Sequence, residues 1–243
     1  MILLAGALIL GLANTSFSQT DSFTVTVDSF SASTEADGLP KGWEPLVFRK
    51  VDRRTSYAVE HEGENYFVVA RSTAADTGIM KRVDLSIKDY PILSWKWKVS
   101  HSIKGADLRK RSGDDYAARV YVAFRYDPAK SGVFERWKYK TAKATFGEFP
   151  PKAALIYVWD NKYPIGEIHN NAYTNHAKMI VTETGDSKAG QWVSEQVNLL
   201  EDYKKAVGGD PPPLEFIALM TDTDQTGEAV TAYYDDVVLK RQP

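Results

Sequence analysis

The stretch 231-TAYYDDVVLK-240 decides how the rest of the chain is read. It is short, aromatic and β-branched, the profile of a closing strand in a β-domain. Strand side chains alternate between two faces, so Tyr233, Asp235, Val237 and Leu239 are expected on one face. Tyr234, Asp236, Val238 and Lys240 are expected on the other. Either way an aspartate lies in line with apolar neighbours, and a carboxylate aimed at a core is costly unless something pairs with it. The fold therefore has to supply a partner for each aspartate.

Working outward, further segments carry the same signature. They are 22–30, 93–100, 117–126, 154–160, 177–184, 192–199 and 214–223, with a hairpin over 56–72 that turns at Glu62-Gly63-Glu64. Polar or Gly/Pro connections separate them, which predicts an all-β, antiparallel β-sandwich of about ten strands, jelly-roll-like. One short helix is expected near Leu200–Val207, with Glu201 and Asp202 at its start and Gly208 at its end. Two connections, 101–115 and 127–151, are long enough to expect a function or disorder in them. No linker divides the chain, so one domain is expected over 19–243.

Composition narrows the class. A formal charge of -2 gives no electrostatic reason to expect nucleic acid or an anionic membrane as partner. The absence of cysteine excludes disulfides, thiolate catalysis and thiolate zinc sites. The first residues, MILLAGALILGLANTSFSQT, hold an apolar run too short to span a bilayer, followed by small and polar residues. That pattern predicts a signal peptide over 1–18 and a periplasmic or secreted protein that starts at Gln19 and does not remain inserted in the membrane. The alternative is a buried N-terminal helix.

Four blocks, 90-YPILSWKWKV-99, 113-GDDYAARVYVAF-124, 155-LIYVWDN-161 and 218-ALMTDTDQTGE-228 with 233-YYDDVVL-239, resemble an exported bacterial domain-of-unknown-function family, number 3047. That family carries no assigned reaction. More loosely, 27-VDSF-30, 38-GLPKGW-43 and the YYDDVVL ending are similar to the terminal strands of jelly-roll carbohydrate-binding modules. This second resemblance implies a structural calcium between first and last strands, held by Asp235 or Asp236 with help from Asp28. Calcium takes six to eight oxygen ligands, and it would neutralise a half-buried aspartate. The alternative partners are backbone N–H groups or a nearby arginine. No organic cofactor is implied.

Familiar catalytic signatures are missing: no G-x-S-x-G elbow, phosphate-binding loop or H-E-x-x-H occurs, and the four histidines are scattered. The strongest surface signal is 119-RVYVAFRY-126. Val120, Val122, Phe124 and Tyr126 form its apolar face, which leaves Arg119, Tyr121 and Arg125 on the opposite one. Arginine with tyrosine suits a polar or acidic saccharide. Tyr157, Trp159, Asn161 and Asp115 are added as ligand-binding candidates, with Lys96 and Lys98 from a neighbouring strand and the amides and aromatics of 170-NNAYTN-175 at strand ends. The same face could instead be held together by cross-strand charge and aromatic pairs. Asp222, Asp224 and Glu228 form a second acidic cluster, read as an Asp-rich turn or the rim of a sugar site.

Three functions compete. The first is a carbohydrate-binding sandwich that takes up a saccharide on a concave sheet face. The second is a polysaccharide lyase or hydrolase that uses the same face with carboxylates drawn from Asp114, Asp115, Asp222, Asp224 or Glu195. The third is an envelope domain that binds another protein.

Overall fold

A computed structural model describes residues 24–30, 34–35, 38–47, 53–146 and 149–242. The predicted signal peptide lies outside the described residues. Alternation of β-branched and aromatic residues produces the long strands β3 (Ser56–Glu62), β4 (Asn65–Thr73), β5 (Asp76–Arg82), β6 (Ile92–Val99) and β7 (Tyr116–Phe124). These are followed by β8 (Ala153–Asp160), β10 (Ala177–Thr184), β11 (Val193–Asn198), β12 (Leu214–Asp222) and β13 (Ala229–Lys240). Shorter strands are β1 (Thr24–Asp28), β2 (Glu44–Leu46) and β9 (Ile168–Asn170).

Two sheets result. One contains β11-β6-β13-β4-β3, with β1 also paired to β13, and the other runs β2-β5-β12-β7-β8-β10-β9. The central orders β4-β13-β6-β11 and β5-β12-β7-β8 interleave along the chain as the two Greek keys of a jelly roll do. Pairing is antiparallel except between β8 and β10. Their inner faces share a core crossed by a chain of rings: Tyr157–Trp95 at 5.4 Å, Trp95–Trp97 at 5.3 Å and Trp97–Trp159 at 5.7 Å.

Three expectations need correction. First, the described residues hold two α-helices. The second, α2 (Leu199–Ala206), is the one predicted, and Asn198 caps it by accepting from the N–H groups of Leu200 and Glu201. The other, α1 (Val133–Phe146), occupies what was read as a loop. Second, β5 was missed because Gly78 interrupts its apolar pattern. A Cβ there would lie 2.9 Å from the Leu219 carbonyl oxygen, so the close approach of β12 requires glycine.

The third correction concerns β13. Its pairing shifts register between Asp235 and Val238, and Asp236 takes a left-handed backbone with φ 50°. The extra residue of this bulge changes the phase of the strand. Tyr234, Val237 and Leu239 are all buried in the core, whereas Tyr233, Val238 and Lys240 are partly exposed. Asp235 lies opposite Lys96 and accepts from Asn65 Nδ2 at 3.0 Å and the Asp236 N–H at 2.8 Å. Asp236 pairs with Lys96 Nζ at 2.7 Å. These are the partners the opening stretch required.

Candidate functional site

The register of β7 determines what else lies on the face of Arg119. Arg119 is opposite Val158 and Met220, and Tyr121 is opposite Ile156 and Ala218. All of these lie on the outer face of the β5-β12-β7-β8 sheet, where a second small core forms. Segments 101–115 and 161–167 cover part of that face: Leu108 is fully buried in this core, and Tyr163 packs at its edge. The long connection 101–115, where a function or disorder was expected, thus forms a wall of a cleft.

The cleft has a volume of about 440 Å³, within the usual range for small-molecule sites. Tyr121, Ile156, Ala177 and Met220 give it an apolar floor, and Asp76, Asp114, Arg119 and Asp222 line its charged end. Asn171, Tyr173, Thr174 and Gln225 supply further polar groups and a ring. Tyr173 is 46% exposed, its hydroxyl donates to the Arg111 carbonyl, and the Arg111 guanidinium lies 5.2 Å from its ring centroid. The ring thus offers the cleft a half-exposed, flat apolar surface.

Arg119 is buried and organises the charged end. Its Nε donates to Asp222 Oδ1 at 3.0 Å and its Nη2 to the Asp114 carbonyl at 3.1 Å, with Asp222 Oδ2 a second, closer partner. The Tyr116 N–H also donates to Asp222 Oδ1. Asp114 is held more loosely: Arg119 Nη1 is 3.7 Å away, and Asn171 Nδ2 donates to its two oxygens at 3.3 and 3.4 Å. Burial pushes the Asp114 carboxyl above the usual range, against the pull of Arg119. Burial also raises the Tyr121 phenol to about 12.

Asp76, Asp222 and Asp224 are, among the described residues, the one carboxylate trio whose oxygens come within 4.8 Å of one another. The predicted calcium set forms no such group. Asp28 accepts from Lys81 Nζ at 2.7 Å, Trp43 Nε1 at 2.8 Å and the Phe30 N–H, and Asp236 is held by Lys96. Lysine ammonium groups already engage Asp28 and Asp236, an arrangement that does not fit a calcium ion at those two carboxylates, while Asp235 is held by an amide and a backbone N–H.

The structure thus brings two of the seven predicted ligand contacts, Arg119 and Tyr121, to the cleft. Tyr157 and Trp159 face the interior, because they pair with Val120 and Ala118 rather than with Tyr121 and Arg119. Tyr157 donates to Asp202 Oδ2, and Trp159 Nε1 donates to the Gly185 carbonyl. Arg125 is exposed beyond the end of β7 and pairs with Asp84. Asn161 Nδ2 ties down the carbonyls of Lys104 and Ala106. Asp115 is fully buried and accepts from the N–H groups of Gln225 and Thr226, so it positions the cleft wall from behind. The sequence had offered Asn171 and Tyr173 as part of a polar run at strand ends, and Asp114 and Asp222 as candidate enzymatic carboxylates with Asp222 also at the rim of a sugar site; it singled out neither Asp76 nor Gln225.

The fold and cleft define a jelly-roll β-sandwich with an outer-face cleft. The chain belongs to the protein family of unknown function DUF3047, whose model matches residues 41–238. No curated protein matches the sequence. Similar solved structures include the family 11 carbohydrate-binding module of the cellulosomal cellulase Lic26A-Cel5E of Clostridium thermocellum. It is 9% identical with a TM-score of 0.45, over 90% of this chain and 95% of that one. The xyloglucanase domain of NopAA, a type three effector from Sinorhizobium fredii, is 9% identical with a TM-score of 0.42, over 90% and 100%. A family 30 carbohydrate-binding module is 9% identical with a TM-score of 0.38, over 90% and 99%.

Proposed function

We propose that this protein is an exported binder of uncharged saccharides that takes them up in the outer-face cleft. The observation that carries the reading is the convergence of a half-exposed Tyr173 ring with Asn171, Thr174, Gln225 and Asp114 around an apolar floor. A sugar ring has an apolar face and an equatorial belt of hydroxyls, and such a cleft serves both. Neutral ligands are favoured over acidic ones because Arg119 is already bound to Asp222 and close to Asp114. At the charged end a uronate would meet the carboxylates of Asp76, Asp114 and Asp222 around an arginine that is already engaged.

One feature favours a second reading, hydrolysis. Burial raises the Asp114 carboxyl above its ordinary range, and Asp222 is held by a guanidinium in the same cleft. Two carboxylates whose surroundings differ in this way suit acid and base roles.

Affinity electrophoresis through gels of neutral glucans, mannans and xylans, with polygalacturonate as the acidic control, tests binding. Retardation in a neutral gel that Tyr173→Ala abolishes is expected. Retardation in polygalacturonate alone, or retardation indifferent to Tyr173→Ala, contradicts the proposal. New reducing ends released from the same polysaccharides would move the assignment to the hydrolase. Export is tested separately: the N-terminus of protein recovered from outside the cytoplasm should be Gln19.

A further inference from the structure

Helix α1 presents a surface that the cleft does not use. It rests on the domain through Tyr139, which is buried, stacks on Tyr126 with ring centroids 3.6 Å apart, and donates to the Pro151 carbonyl at 3.2 Å. At about 100° per residue, Val133, Trp137, Thr141 and Phe134 span the arc that faces away from Tyr139. Val133 is 77% exposed, Phe134 70% and Trp137 64%, and the last two rings stack on each other at 6.3 Å. These are the largest apolar exposures among the described residues.

The charge on this helix is one-sided. Arg136, Lys138, Lys140 and Lys143 are exposed, and among the described residues none of them has an ion-pair partner. Lys138 and Lys140 flank the apolar stripe on either side, and Lys138 Nζ lies 5.3 Å from the Phe134 ring centroid. The sole acid of the helix, Glu135, is engaged by Lys152, and this contact holds its carboxyl below the usual range. The overall charge of -2 conceals this local excess.

We infer that α1 docks the protein on an anionic lipid bilayer. The rings of Trp137 and Phe134 enter the headgroup region while Lys138 and Lys140, on either side of them, lie among the lipid phosphates. A tryptophan–phenylalanine pair flanked by unneutralised lysines complements that boundary in both polarity and charge. An apolar stripe this narrow binds weakly by itself, so attachment depends on anionic lipid and falls with salt. The inference is independent of the saccharide cleft.

Co-sedimentation of the full chain with vesicles tests it, comparing phosphatidylcholine alone with equimolar phosphatidylcholine and phosphatidylglycerol. Binding to the anionic vesicles only is expected, released by salt. The double variant Phe134→Ser, Trp137→Ser should bind about tenfold more weakly or worse. Lys138→Gln with Lys140→Gln should remove much of the salt dependence. Both variants should melt like the wild type, since the replaced side chains face solvent. Equal binding by wild type and double variant overturns the inference, as does failure to sediment with anionic vesicles. Self-association in the ultracentrifuge that the same serines abolish would also overturn it, by assigning the face to a second copy.

Discussion

The acidic pair on β13 and the acidic group in the cleft use the same residue type and reach opposite arrangements. On β13 each carboxylate has partners of its own: Asn65 and a backbone N–H for Asp235, Lys96 for Asp236. In the cleft one guanidinium bonds Asp222 and only approaches Asp114, with Asp76 and Asp224 close to Asp222. Carboxylates satisfied one by one close a strand pairing. Carboxylates gathered around a single cation keep acceptor capacity that a ligand's hydroxyls can use.

The largest expected effect tests the shared cation. Arg119→Met removes the charge and leaves buried carboxylates unpaired, which should cost about 3–5 kcal/mol in urea unfolding. A loss below about 1 kcal/mol, the range of an exposed pair, would erase the contrast between the two regions. Next is Tyr173→Ala, which should weaken saccharide binding about tenfold or more by calorimetry with little change in melting temperature.

A smaller effect comes from Glu195, which lies on the edge strand β11 opposite Trp95 and accepts from Trp97 Nε1. Burial raises its carboxyl from 4.5 to about 7. Between those values the folded chain keeps a proton that the unfolded chain has released, so its contribution to stability falls as pH rises. Glu195→Gln should match the wild type near pH 4.5 and melt about 2–4 °C higher at pH 8, a modest gain because the group is partly exposed. A variant that tracks the wild type at every pH would show that this carboxyl is solvated. The smallest effect belongs to the closing strand: Lys96→Met should cost about 0–1 kcal/mol, because that pair is exposed. A chelator should leave the melting temperature unchanged, and a chelator-sensitive melt that Asp236→Ala abolishes would place calcium at Asp28, Asp235 and Asp236.

What could be read in the sequence follows from how locally each feature is determined. The strands of the jelly roll announce themselves through alternation, and the face of Arg119 and Tyr121 was legible from β7 alone. Which residues of β8 join that face depends on register, and a one-residue difference exchanges Val158 and Ile156 for Tyr157 and Trp159. The phase of β13 was hidden because its bulge occupies an Asp-Asp pair rather than a glycine. Helix α1 was invisible because its apolar residues divide between two faces, Tyr139 inward and Trp137 outward, which blurs the periodic signal. Asp76 reaches the cleft by pairing opposite Asp222, from a strand that Gly78 had masked.

Hydrogen–deuterium exchange of the full chain, with and without the neutral oligosaccharide that the gels select, tests the central claim most directly. The account predicts protection in segments 114–121, 171–177 and 220–225, with segments 93–98 and 233–238 unchanged. Protection confined to the closing strand and β6, or spread evenly over both sheets, would contradict it.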